Sequence, residues 1–355
     1  MIARLRALIA VAVAASIAVL ASGCGGSRAP LPQQPGLPAI SADPARAPAG
    51  AAAGVDVFGL ARHRLRFFVI THGEASGLFW PVVRNGAQAA AAQLGVSVTY
   101  EAPDTYNLAR MTQLIRSAIA QRPAGLVVSL PNPAGLEPAI AAARRAGIPV
   151  ISINSGSDAF KKVGTLLHVG ENEYRAGFAT GRRLVADRGA HHVLCVIHEP
   201  HNVGLQQRCH GLAAAVRAAG GESRELAVDV QRPQQAEQLM AAALRPGTFD
   251  AMLTLDSAMS GPALQALRAD RLLGHVAYAT FDLAPRVLRA VRTGQIAFAV
   301  DQQGYLQGYL PIVLLAQYHL YGILPDRGKL LSTGPVFITR NNATRVLALV
   351  NQGVR

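Results

Sequence analysis

Two hydrophobic periods alternate along most of this chain. Short apolar runs fall at 65–70, 96–100, 125–130, 149–153, 166–169, 193–197, 226–230, 251–254, 276–281 and 296–300. Each is brief and bounded by polar or turn residues, the pattern of a strand buried on both faces. Between most of them lie longer stretches with apolar positions at helical spacing, at 80–94, 108–121, 135–146, 171–188, 205–219, 233–244, 261–271 and 285–291. Gly95, Gly147, Gly189, Gly220 and Gly294 sit near the ends of such stretches, where a left-handed residue closes a helix. Strands joined by helical crossovers build parallel sheets with right-handed connections. Ten such runs exceed one comfortable sheet. The pattern therefore predicts an α/β protein with two sheets in two lobes.

The N-terminus follows a different rule. Arg4 and Arg6 precede an apolar run from about Leu8 to Ala21, and Ser22-Gly23 lead into Cys24. Basic start, short apolar segment and small residues before a cut are the parts of a secretory signal. A cysteine at the cut is what bacterial lipoproteins acylate. The expectation is a signal peptide over 1–23 and a lipidated Cys24. One departure stands: Ala21 occupies the place three before Cys24 where the usual pattern has Leu, and Leu20 lies one further back. An ordinary cleaved signal with an incidental cysteine is the competing reading. A membrane-spanning helix is disfavoured, because the run falls short of the roughly 18–20 residues a span needs. Residues 24–57, rich in Pro and Ala, show no apolar periodicity and read as a spacer.

About 300 of the 355 residues remain, and half of the chain is hydrophobic, enough for two ordinary lobes. The formal net charge is +13 and comes almost wholly from arginines scattered singly, with Lys161, Lys162 and Lys329 the only lysines. On an exported chain without basic runs this reads as composition, helped by attraction to anionic lipid heads; nucleic acid is not an expected partner. Apart from Cys24 there are two cysteines, Cys195 and Cys209. An even pair in an oxidising compartment invites a disulfide, and two buried thiols are the alternative.

In open parallel sheets, ligands bind beyond the carboxyl ends of the strands. Those loops carry Thr71-His72-Gly73-Glu74, Asn132, Asn154-Ser155, Asp256 and Phe281-Asp282. No phosphate-cradling loop ending in Lys-Ser/Thr and no Gly-x-Ser-x-Gly elbow is present, so no cofactor or nucleophile is expected. His191, His192, His198, His201 and His210 cluster in sequence. Pro200 breaks the helix that a His-Glu-x-x-His zinc site requires, and neighbouring His191 and His192 point to opposite faces of a strand. No metal is expected; His198 and His201 read as loop residues beside the cleft.

Four stretches, taken in order, resemble the type I periplasmic substrate-binding proteins of ABC importers, in their ribose- and sugar-binding branch. They are Ser76-Gly77-Leu78-Phe79-Trp80 with Asn85-Gly86-Ala87-Gln88; Gly147-Ile148-Pro149-Val150-Ile151-Ser152-Ile153-Asn154; Gln207-Arg208 with Gly211; and Thr280-Phe281-Asp282-Leu283, Gly294-Gln295-Ile296 and Val300-Asp301-Gln302-Gln303-Gly304-Tyr305-Leu306-Gln307-Gly308-Tyr309. The likeness covers roughly residues 65–339. It implies two doubly wound lobes joined by a three-crossing hinge. The N-terminal lobe would hold 58–169 plus 303–330, and the C-terminal lobe 170–302 plus 331–355.

The resemblance also implies ligand contacts. Sugars offer apolar C–H faces to aromatic rings and hydroxyls to planar polar groups. Phe79 and Trp80 are the stacking pair, with a core position as the alternative for Trp80. Arg208 has five fixed donors, with a surface salt bridge as its alternative. Asp282 is an acceptor at a strand end, with a helix cap before Pro285 as its alternative. Gln302 would sit at a hinge crossing and read both lobes. Asn154 stands where sugar binders usually carry Asp. Asp256 stands in the place of an Asn-Asp pair whose Asn is here Leu255. His72 lies in the first cleft loop.

The function this implies is that of an extracytoplasmic lipoprotein, monomeric and not an enzyme. It would capture a sugar or sugar-like polyol by hinge closure and deliver it to an ABC permease, held to the membrane by its lipid. A sensor subunit feeding a chemoreceptor or sensor kinase fits the same trap. A repressor of this fold would need a helix-turn-helix where the signal and spacer stand.

Overall fold

The computed structural model of the protein describes residues 65–73, 79–325 and 327–355. The signal segment, Cys24, the 24–57 spacer and residues 76–78 lie outside the described residues.

The chain builds one sheet, moves to a second, and returns to each once. The first pass runs β1 (Arg66–Ile70), α1 (Phe79–Leu94), β2 (Ser97–Glu101), α2 (Leu108–Ala120), β3 (Gly125–Ser129), α3 (Pro133–Arg145), β4 (Val150–Ile153), α4 (Phe160–Val163) and β5 (His168–Gly170). The second runs α5 (Glu173–Arg188), β6 (His192–Ile197), α6 (Val203–Ala218), β7 (Glu222–Ala227), α7 (Pro233–Leu244), β8 (Ala251–Thr254), α8 (Ser260–Ala269), β9 (Ala277–Phe281), α9 (Pro285–Thr293) and β10 (Phe298–Asp301). Then α10 (Gly304–Tyr321) and β11 (Leu330–Ser332) rejoin the first sheet, and β12 (Val336–Ile338) and α11 (Ala343–Asn351) the second.

Both sheets have six strands in matching order: β11-β5-β4-β3-β1-β2 and β12-β10-β9-β8-β6-β7. Every pairing is parallel except β10 with β12. Central strands such as β3 and β8 are buried throughout, which is why they appear in the sequence as unbroken apolar runs. Each sheet is covered on both faces. Phe67, Val69 and Trp80 pack with Ile312 and Leu315 of α10, while Phe68 and Ile70 pack with Met111 and Ile140. In the second lobe Cys195 and Phe281 pack with Leu205, and Met252 and Tyr278 with Leu267 and Val287. Helix pairs α1–α10 and α5–α6 approach closely. A Cβ on Gly308 would overlap the Val83 carbonyl oxygen, and one on Gly177 the Arg208 carbonyl oxygen.

The structure differs from the sequence-based expectation at three places. The strand expected at 226–230 is β7, at Glu222–Ala227. It is an exposed edge strand of polar composition, so the apolar run just after it gave the stronger signal. Strands β11 and β12 have three residues each, too short to show a period, and α10 is apolar nearly all round. The third passage between sheets falls after Ser332, not after Leu330, because Leu331 and Ser332 pair with Val169 and Gly170 of β5.

Cys195 on β6 and Cys209 on α6 are joined by a disulfide with a Cα–Cα distance of 5.8 Å. Both residues are wholly buried in the second lobe's core. No helix among the described residues is long and apolar enough to cross a membrane.

Candidate functional site

The passages between sheets converge beneath one cavity, and His72, Phe79, Trp80, Asn154, Arg208, Asp256, Asp282 and Gln302 all line it. These residues come from both lobes. His72 follows β1, Phe79 and Trp80 open α1, and Asn154 follows β4. Arg208 lies in the second turn of α6, Asp256 follows β8, Asp282 follows β9, and Gln302 follows β10. Strand ends supply most of the set, as the parallel-sheet rule requires.

Gln302 is the centre of the polar network. Its Oε1 accepts from Arg208 Nη2 at 2.7 Å and from Asn154 Nδ2 at 3.1 Å, and its Nε2 donates to Asp282 Oδ1 at 2.5 Å. One hinge residue thus ties a first-lobe amide to a second-lobe guanidinium and carboxylate. Its backbone oxygen accepts from Thr333 Oγ1 at 2.8 Å, linking the second passage to the third.

Arg208 is buried, which overturns the surface salt-bridge reading. Its Nε donates to Glu173 Oε2 at 2.5 Å, Glu171 Oε2 lies 3.6 Å from Nη2, and the guanidinium stacks 4.3 Å from the Phe281 ring centre. Burial opposes the charge on Arg208, yet Glu173, Glu171 and Asp282 hold its pKa above the ordinary arginine value. Burial raises the pKa of Glu173 and, further, that of Glu171, against the pull of Arg208.

The two aspartates differ. Asp282 does not cap the helix at Pro285; that cap position belongs to Ala284, which makes no side-chain bond. It is Asp256 that caps, accepting from Ala258 N at 2.5 Å at the start of a short 3-10 turn. Burial pushes the Asp282 carboxyl up to about 6 despite Arg208 and the Gln302 bond. Burial and the adjacent Asp282 carboxylate push Asp256 well above the usual range. Trp80 satisfies both of its readings, lying in the first lobe's core and lining the cavity with its ring 4.7 Å from that of His72.

A second cluster closes the seam between the lobes. His72 Nδ1 lies 2.9 Å from Ser129 Oγ, and its Nε2 lies 3.5 Å from Glu199 Oε2 of the second lobe. Asn202 Nδ2 donates to Glu199 Oε2 at 2.9 Å, and Ser155 Oγ donates to Asn202 Oδ1 at 2.9 Å. Val203 N donates to the Pro131 carbonyl across the same seam at 2.9 Å. Burial works against ionisation of Glu199, but the neighbouring histidines and the Asn202 bond bring its pKa down to about 2. Burial lowers the His198 pKa to about 4.

Ser155 lines the cavity beside Asn154, and the sequence does not single out Glu199, Asn202, Leu205 or Leu255 as cavity-lining, nor Glu171 and Glu173 behind Arg208. Asn202 was detectable as a cap residue before Val203. Glu199 was masked by its place between two histidines. Among the described residues no group of three or more His, Cys, Asp or Glu side chains is placed to hold a metal ion.

The space enclosed is about 30 Å³, room for little more than a water-sized group. A hydroxylated ring can enter only if the lobes part and the polar groups exchange one another for the ring's hydroxyls. A neutral polyol suits such a set, because it donates to Asp282 and Asp256 and accepts from Arg208 and Asn154 without bringing a charge to be desolvated.

Two six-stranded sheets of the same strand order, parallel but for one edge pairing, with three passages between them and a polar cleft at the strand ends, define the type I periplasmic binding fold. The chain belongs to that family: its model, described as a periplasmic binding protein domain, matches residues 67–321. Membership makes it a binding component and not an enzyme, and places it outside the cytoplasm. Among similar solved structures is a carbohydrate transporter from Acidothermus cellulolyticus 11B in complex with myo-inositol. It is 32% identical, covers 82% of this chain and 100% of its own, and superposes with a TM-score of 0.77. An ABC sugar transporter periplasmic binding protein from Legionella pneumophila is 24% identical, covers 76% of this chain and 100% of its own, and has a TM-score of 0.71. The xylose/arabinose-binding protein XylF of Sulfolobus acidocaldarius is 23% identical over 292 residues, which is 77% of this chain and 70% of that protein.

Proposed function

We propose that the protein is a solute-binding lipoprotein that captures a sugar or cyclic polyol by hinge closure and passes it, unaltered, to an ABC permease. The observation that carries this reading is Gln302, a hinge residue bonded at once to Asn154 of one lobe and to Arg208 and Asp282 of the other. A ligand that replaces those bonds touches both lobes, so it stabilises only the state in which they meet. His72, Phe79, Trp80, Asn154, Arg208, Asp256, Asp282 and Gln302 are the proposed ligand contacts, and Cys24 the proposed lipid attachment. The relatives described as binding myo-inositol or xylose and arabinose support a hydroxylated ring as the ligand class.

A thermal-shift screen of pentoses, hexoses and inositols tests the reading. A ligand at 100 times its dissociation constant adds about 2.7 kcal/mol to the folded state. At least one hydroxylated ring is expected to raise the melting point and to be recovered unchanged. A flat response to all of them, or a chemically altered ligand, refutes the proposal.

A further inference from the structure

A second cavity of about 450 Å³ adjoins the cleft at the seam between the lobes. His198 and Glu199 line both spaces, so only one layer of side chains separates them. The first lobe contributes Tyr106, and the second contributes Pro200, Val228, Val230 and Leu239. Leu239 is 39% exposed, one of the few large apolar side chains left in solvent among the described residues, and it faces this cavity.

His198 and Glu199 of the second lobe build the dividing layer against His72 and Tyr106 of the first. Tyr106 packs its ring 5.8 Å from that of His72, and its hydroxyl reaches the His201 carbonyl of the opposite lobe at 3.5 Å. His72 meets Glu199 across the same line. A ligand that takes the place of the His72–Glu199 contact joins inner cleft and outer cavity while the lobes stay together, into one space that is polar at its inner end and mixed, with apolar side chains prominent, at its outer end. The two ends suit different chemistry. The inner end offers carboxylates, amides and a guanidinium for hydroxyls, while the outer end offers a phenol face and aliphatic side chains, with His201, Asp229, Gln231 and Gln235 among them. Its volume falls in the range of sites that hold drug-sized groups.

We propose that this outer cavity is a subsite for an apolar, ring-sized substituent on the sugar or polyol held in the cleft, so that the protein takes glycosides with an apolar aglycone as well as free rings. The inference rests on the sugar-binding reading above. The ring's hydroxyls occupy the inner cleft, and the substituent leaves between Tyr106 and Glu199 to lie against Leu239 and Val230.

Calorimetric titration of the full chain with methyl and phenyl xylopyranosides and glucopyranosides, in both anomers, tests the proposal alongside the parent sugars and xylobiose. For at least one sugar and anomer the phenyl glycoside is expected to bind about tenfold more tightly than the methyl glycoside, the scale of burying a small apolar ring. Leu239→Asp should erase that difference and leave the methyl glycoside and parent sugar unchanged, while Leu239→Met should keep it. Phenyl glycosides no tighter than methyl ones, an advantage that survives Leu239→Asp, or xylobiose outranking every phenyl glycoside would overturn the proposal. Parent sugars that bind while all glycosides fail overturn the subsite alone; failure of parent sugars and glycosides alike removes the sugar-binding reading with it.

Discussion

Asn154 and Asp282 occupy the same station in the two lobes. Each follows the third strand in its sheet's order, β4 and β9 respectively, and each has a left-handed backbone, φ +59° and +65°. Asn and Asp tolerate that conformation better than other residues with a side chain. The turn aims both side chains at Gln302, which bonds to each of them. Strain of this kind persists where the surroundings hold it, and here it faces the cleft from both sides.

Asp282→Asn keeps a residue suited to the left-handed turn while removing the carboxylate. Above pH 6 the melting point without ligand is expected to hold or rise, and the shift with the best polyol to disappear. Wild-type-like stabilisation of this variant by that polyol would take Asp282 out of the site.

Arg208→Ala is expected to behave differently. Arg208 is buried against Glu173 and Glu171, so its loss strands wholly buried carboxyls. Breaking a buried pair from one side costs about 3–5 kcal/mol. Urea unfolding should show that loss without ligand, and ligand should not restore it. The double variant Arg208→Met, Glu173→Gln should recover much of the stability but none of the binding.

Acid acts on two buried groups with opposite sign. His168 is buried, its Nε2 2.9 Å from the Asn154 carbonyl and its Nδ1 3.0 Å from Ser152 Oγ, and burial lowers its pKa to about 4. A lowered histidine contributes stability that is present above its unfolded value near 6.5 and is lost as pH falls toward 4. That contribution is roughly 3 kcal/mol. Asp282 is raised to about 6. Its contribution is present below the unfolded value near 4 and is lost as pH rises through 6. Relative to His168→Gln, the wild type should therefore lose stability between pH 6.5 and 4. Relative to Asp282→Asn, it should gain stability over the same fall. Chemical unfolding of the three proteins across that range checks both signs.

The disulfide encloses about 15 residues, and the chain-entropy model assigns such a loop roughly 3 kcal/mol. Replacing Cys195 and Cys209 together by Ala should lower unfolding stability by about that amount while ligand affinity stays the same. Unfolding in reductant should show a comparable loss for the wild type and none for the variant.

The alternation of buried strands and helices was legible because parallel strands covered on both faces appear as unbroken apolar runs. The cleft residues were legible in part for a related reason: polar side chains immediately after such runs, at Asn154, Asp256 and Asp282, have few places to go except the end of a sheet. Resemblance added Arg208 and Gln302, which lie on a helix and in a hinge and carry no such signal. The polar edge strand β7 and the short strands β11 and β12 stayed hidden, since their place depends on a neighbouring strand and not on their own period.

By itself, the order of residues determined two α/β layers and a polar rim at their strand ends, because burial and local periodicity act over a few neighbours at a time. Only the tertiary structure decided how that rim is wired. Glu173 takes up Arg208 from 35 positions away, and Gln302 reaches Asn154 over 148. Such pairings arise when desolvated charges and amides must find partners across the space that folding leaves them, and no local pattern records that choice.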